Sequence, residues 1–218
     1  MQTGNEPYLI EDQGWVVKVQ PPKQPERPRV LLLLHGWTGD ESVMWIFTRN
    51  LPANTWLFAP RGQVISPEGG YGWLEHELAA GWPTLDQFAG PAAALINAFH
   101  AWKAEAGAPQ DPFDVMGFSQ GAAMAYALGA IYPQQVSRVI ALAGFMPRET
   151  GESAKYAAYK GKKVYMAHGT ADKTVPVRCA QDAVQTLQQH GAQVTYCESE
   201  VGHKLSAACL RGLETFLR

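Results

Sequence analysis

Two kinds of hydrophobic pattern alternate along the chain. The first is the short unbroken run. Val30-Leu31-Leu32-Leu33-Leu34 is the clearest, and 15–19, 55–59, 113–117, 136–143, 163–168 and 193–197 have the same strand-like composition. Such runs suit strands of a parallel sheet, whose two faces are both covered, rather than half-exposed strands that alternate apolar with polar. The second pattern repeats at three- and four-residue steps. Leu85, Phe88, Ala92, Leu95, Phe99 and Trp102 predict a long amphipathic helix over 84–106. Val177, Ala180, Val184 and Leu187 predict a helix opening near Val175-Pro176 and ending at Gly191, and 205–217 reads as a final amphipathic helix. Residues 120–132 form an Ala- and Gly-rich helix, closed by Pro133, that can lie close against a sheet. A shorter helix is expected over 41–50, and the proline-rich stretch 23–28 reads as a hairpin connection. Strand and helix alternate without an internal repeat or composition break. The expectation is one α/β domain over 1–218, with a mostly parallel central sheet flanked by helices.

Composition narrows the function classes. A net charge of −2 and a pI near 6.3 give no electrostatic reason for binding nucleic acid or an anionic membrane surface. No apolar run approaches a membrane span, and residues 1–13 are polar with no signal-peptide core, so a cytoplasmic protein without stable membrane insertion is expected. The three cysteines, Cys179, Cys197 and Cys209, are odd in number and lack C-x-x-C spacing, which argues against a disulfide framework and a zinc site. Neither a phosphate-binding loop nor a metal or dinucleotide motif occurs, so no cofactor is expected. The long segment 61–83, rich in glycine and aromatic residues, has the length of a functional loop.

The chemistry centres on Gly117-Phe118-Ser119-Gln120-Gly121, at the junction of a predicted strand and helix. Glycines two residues to either side of a serine allow a sharp, strained turn that lifts the hydroxyl above the sheet. A serine hydroxyl needs a base, and the base needs an orienting acid. His203, in Val201-Gly202-His203-Lys204, follows the last predicted strand; His35 and His168 also end strands, whereas His100 and His190 fall on helices and His76 lies in the long loop. Asp172 follows a strand and a glycine turn, with Glu198 and Glu200 as nearby rivals. Ser119, Asp172 and His203 each follow a separate strand, in the order serine, acid, histidine, and the carboxyl ends of parallel strands converge on one edge. The backbone N–H groups of Trp37 and Gln120 are placed to receive an oxyanion.

Together with Ala143-Gly144-Phe145-Met146-Pro147 and His168-Gly169-Thr170-Ala171-Asp172, these motifs run through nearly the whole chain, and the chain resembles the carboxylesterase/phospholipase family of α/β hydrolases, which includes acyl-protein thioesterases and small bacterial carboxylesterases. The resemblance implies an α/β-hydrolase fold with Ser119 as nucleophile, His203 as base, Asp172 as acid, and oxyanion donors at Trp37 and Gln120. Two stretches depart from the family pattern, Trp37-Thr38-Gly39-Asp40 and 67–83, and both bear on the substrate pocket. Tyr71, Trp73, Trp82 and Met146 are the expected pocket-lining residues. The expected activity is hydrolysis of a small-molecule carboxylic ester, short- to medium-chain or aromatic, by a monomer or homodimer. Acyl-protein thioesterase, lysophospholipase and a ligand-binding receptor on the same scaffold are the alternatives.

Overall fold

The unbroken apolar runs form the centre of the molecule, a computed structural model that describes residues 6–75, 81–110, 112–150 and 155–218. Among the described residues ten strands occur in this order: β1 (Tyr8–Asp12), β2 (Trp15–Gln20), β3 (Arg29–Leu34), β4 (Thr55–Pro60), β5 (Val64–Ile65), β6 (Tyr71–Gly72), β7 (Phe113–Phe118), β8 (Val136–Leu142), β9 (Lys163–Gly169) and β10 (Gln193–Ser199). Eight of them make one sheet in the order β1-β2-β4-β3-β7-β8-β9-β10. The β1–β2 and β2–β4 pairs are antiparallel, and all pairs from β4 to β10 are parallel. β5 and β6 form a separate ribbon within the long segment.

The sheet is covered by α1 (Leu85–Ala106), α2 (Gln120–Ile131), α3 (Val177–Gln189) and α4 (Ala207–Leu217). Side chains alternate across a strand, so β3 feeds two cores at once. Val30, Leu32 and Leu34 pack on the side of α1, α2 and α3, while Leu31 and Leu33 pack on the side of α4. Every residue of α2 from Gln120 to Ala130 is buried, which its small side chains permit. The C-terminal carbonyls of α4, which have no partner within the helix, are taken by guanidinium groups of the sheet. Arg138 donates to Phe216 O at 2.9 Å, and Arg29 donates to Leu217 O and Arg218 O. The same Arg138 pairs in fork geometry with the buried Asp114, at 2.6 and 2.9 Å.

Three expectations change. Only Val43–Phe47 of the 41–50 stretch coils, and it does so as a 3-10 turn, with Met44, Trp45 and Phe47 packed on the core of the α4 side and Val43 and Ile46 exposed at the rim of a cavity. Residues 23–28 do not close a hairpin: β2 and β3 are separated by β4, so this stretch crosses to the far side of that strand. The cysteines do make a bridge. Cys197 on β10 and Cys209 on α4 are disulfide-bonded, 12 residues apart in sequence, and Cys179 is free. An odd count guarantees one leftover thiol; it does not forbid a pair. Among the described residues no helix is long and apolar enough to cross a membrane.

A bridge closing a loop of this length removes chain entropy from the unfolded state worth about 3 kcal/mol. Reduction with dithiothreitol, or the double substitution Cys197→Ser/Cys209→Ser, is expected to lower the unfolding free energy measured in urea by that amount. Cys179→Ser should leave it nearly unchanged.

Candidate active site

β7 runs into α2 through Ser119, whose backbone is at φ +54°, the left-handed region that non-glycine residues rarely enter. The contacts show why its neighbours are glycine. A Cβ on Gly117 would stand 2.0 Å from Gly121 O, and one on Gly121 would stand 2.1 Å from Leu34 O. Strand β7, helix α2 and strand β3 therefore meet at backbone-to-backbone distance, and the strained turn is held from three sides.

Asp172 follows β9, and its side chain is fully buried. Its Oδ1 accepts the backbone N–H groups of Thr174 and Val175, at 2.8 and 3.0 Å, and its Oδ2 lies 2.7 Å from His203 Nδ1. The carboxylate is thus positioned by the turn that follows it, and the imidazole by the carboxylate. His168, also buried, bonds Val175 O through Nε2 at 2.8 Å and lies 3.4 Å from Asp172 Oδ2. The His203 ring packs on the Phe118 ring at 4.9 Å, adjoining the serine turn. Glu198 is engaged elsewhere, with Tyr196 and Gln181. His203 sits in the loop between β10 and α4, whose two flanks are joined by the Cys197–Cys209 bridge and by a 2.7 Å contact between Ser199 Oγ and Ser206 Oγ.

On the other side of Ser119 lies the loop after β3. A Cβ on Gly36 would stand 3.1 Å from Ser119 Cβ, so the loop adjoins the serine. Among the described residues, the backbone N–H of Trp37 and that of Gln120 have no acceptor. His35 is wholly buried under the Trp73 ring, 4.9 Å away, and burial pushes its ring below the ordinary histidine range. The Gln120 side chain reaches out to the long segment, accepting from Trp73 N–H and donating to Leu74 O, both at 2.8 Å. Glu41 and Arg61 pair at 2.7 and 2.9 Å, which holds the Glu41 carboxyl below its usual range, and the Arg61 guanidinium lies over the Tyr71 ring.

A cavity of about 710 Å³ opens over Ser119 and His203, with Trp37, Met44, Phe47, Phe118, Leu205 and Leu210 supplying most of its apolar wall. Of the expected pocket residues, none of Tyr71, Trp73, Trp82 and Met146 lines it. Trp73 is a buried strut whose Nε1–H donates to His35 O at 2.7 Å, and Tyr71 lies under Arg61 in the β5–β6 ribbon. Trp82 packs on Phe145 with ring centroids 4.4 Å apart and shares with Met146 a separate depression of about 320 Å³. His76 lies outside the described residues. The wall comes instead from the 3-10 turn and the start of α4. Its one sequence signal was the apolar string Val43-Met44-Trp45-Ile46-Phe47, in which Ile46 is 74% exposed. Among the described residues no cluster of His, Cys, Asp or Glu is arranged to hold a metal ion.

The profile of the Phospholipase/Carboxylesterase family matches residues 16–218. A probable SOBER1-like carboxylesterase of Arabidopsis thaliana is 29% identical over 206 residues, 86% of this chain and 77% of that protein. Among solved structures, a carboxylesterase of Mesorhizobium loti superposes with a TM-score of 0.82 at 21% identity, covering 98% of this chain and 99% of its own. The Bacillus cereus carboxylesterase gives 0.79 at 22% identity, covering 92% of each chain. These structural likenesses concern the fold.

The three-way backbone approach at the serine turn sets a steric expectation. Gly121→Ala should destabilise the protein by about 3 kcal/mol in urea unfolding, at the upper end for overpacking, because the clash is with backbone that cannot rotate away.

Proposed function

The chain belongs to the Phospholipase/Carboxylesterase family of hydrolases, and from that premise we propose that it is a serine esterase acting through an acyl-enzyme, with Ser119 as nucleophile, His203 as base and Asp172 as orienting acid. One observation carries the reading: the strained Ser119 and His203, whose ring is paired with the buried Asp172, open onto one largely apolar cavity. Because His203 Nδ1 faces the carboxylate, Nε2 is the nitrogen left to take the Ser119 proton. Ser119 Oγ attacks the acyl carbonyl, and the resulting oxyanion accepts hydrogen bonds from the N–H groups of Trp37 and Gln120. The second of these opens α2, where the helix dipole also favours negative charge. His203 then protonates the departing alkoxide, and water attacking by the same route frees the acid.

Met44, Phe47, Phe118 and Leu210 favour an apolar acyl or aryl group beside the serine, in line with a short- to medium-chain or aromatic ester. Glu68 and Lys204 also line the cavity, so charged groups stand beside its apolar wall. A thioester meets the same chemistry and serves as a comparison substrate.

A p-nitrophenyl ester series from acetate to palmitate tests the reading. Wild type should turn over the short and medium esters fastest, and Ser119→Ala should lose on the order of 10⁶ in kcat. Equal turnover by Ser119→Ala and wild type would sink the assignment. Asp172→Asn should fold normally yet lose about 10⁴ in kcat, because the histidine would then adopt the wrong tautomer. Near-full activity in that variant would point to another acid.

A further inference from the structure

His35 is a buried histidine at the site that the reaction leaves unused. It is fully buried, lies one residue before the loop that touches Ser119, and engages both ring nitrogens. Nδ1 lies 2.7 Å from Gly36 O, and Nε2 lies 2.8 Å from the Gly62 backbone N. Both partners have fixed polarity. A carbonyl only accepts and an amide N–H only donates, so one of the three ring states satisfies both contacts: neutral imidazole with its proton on Nδ1. The other tautomer would set two lone pairs against each other at Gly36 O. The protonated ring would turn an N–H toward the Gly62 N–H.

The contact at Gly36 O matters because of which peptide it belongs to. The Gly36 carbonyl and the Trp37 N–H are the two ends of one planar trans unit and point in opposite directions. Whatever fixes the carbonyl therefore also aims the N–H. Two donors fix it: His35 Nδ1–H and Gly39 N–H, the latter at 3.1 Å. Gly36 and Trp37 both line the cavity with Ser119.

We propose that His35 is a positioning residue of the reaction: as the Nδ1–H tautomer it locks the Gly36–Trp37 peptide so that the Trp37 N–H is held toward the oxyanion. This rests on the esterase reading given above. Several groups bear on the ring besides its burial. The Gly36 hydrogen bond and the carboxylates of Asp40 and Glu41 favour the protonated form; Arg61 opposes it and is itself paired with Glu41. Desolvation outweighs the groups that favour protonation, so the ring stays neutral at pH values where an exposed histidine would begin to charge. Nε2 does a second job, holding Gly62 and with it the start of the long segment.

The two nitrogens can be separated by substitution. An asparagine amide can put an N–H near the Nδ1 position but does not reach Gly62; a glutamine amide can put an oxygen near the Nε2 position but leaves Gly36 O without its donor. His35→Gln is expected to lose about 10-fold or more in kcat with KM nearly unchanged, a part of the 10²–10³ that removal of an oxyanion donor costs. His35→Asn should restore most of that kcat, even though its thermal midpoint falls through loss of the Gly62 bond. Inhibition by an alkyl trifluoromethyl ketone, whose serine adduct carries an oxyanion, should weaken in His35→Gln by the same factor as kcat/KM.

A ring that merely fills the core would give a different pattern. Activity would follow the thermal midpoint in both variants and ketone affinity would not single out His35→Gln; either result overturns the proposal. Long-range ¹⁵N–¹H NMR of wild type decides even if both variants misfold. It should show His35 as the Nδ1–H tautomer at neutral pH, and the Nε2–H tautomer overturns the proposal. Loss of turnover in Ser119→Ala alongside an unchanged His35→Gln defeats this inference alone, whereas turnover surviving Ser119→Ala defeats the esterase reading beneath it.

Discussion

The register of β3 against β7 governs what can happen at the carboxyl edge of the sheet. Leu34 lies opposite Gly117, so both strands end at the same level and the chain leaves each beside the other. One exit leads through Ser119 into α2, and the other through Gly36 and Trp37. A shift of one residue would turn the alternating side chains of β3 to the opposite cores and carry the Trp37 peptide away from the serine. The absence of side chains at Gly117 and Gly121 allows this register, since α2 must approach to within backbone contact of β3 and β7 for the two exits to meet.

The parts of the fold visible in the sequence are those where one physical requirement acts locally. Strands buried on both faces must be apolar throughout, and α1 must repeat its apolar positions at helical steps, so both were legible as periodicity. The order of Ser119, Asp172 and His203 after three separate strands was legible because a parallel sheet brings such residues to one edge. What could not be read depends on partners distant in sequence. Trp73 and Trp82 look like pocket aromatics in a glycine-rich loop, yet one packs on His35 and the other on Phe145. Met44 and Phe47 lie in the stretch 41–50, expected as a helix, and wall the cavity from a 3-10 turn. The Cys197–Cys209 bridge joins β10 to α4, an adjacency that counting cysteines cannot reveal.

The long segment is bound to the site by polar contacts rather than by apolar packing alone. Trp73 N–H and Leu74 O grip the Gln120 side chain, Trp73 Nε1–H grips His35 O, and Gly62 N–H grips the His35 ring. All but Leu74 are buried, where an unmatched donor or acceptor would cost about 1–3 kcal/mol, so each bond restricts its neighbours. The Glu41–Arg61 pair adds a tie between the loop after β3 and the end of β4. The loop beside Ser119 and the segment beneath it therefore form one hydrogen-bonded unit.

The bridge between β10 and α4 gives the two sides of the serine different mechanical characters. The histidine side is closed by a covalent bond, which neither warming nor denaturant weakens as long as the thiols stay oxidised. The side carrying Trp37 is closed by hydrogen bonds and ring contacts, which both agents loosen. Under mild stress the first play to enter the site thus falls on the Gly36–Trp37 peptide, while His203 keeps its place.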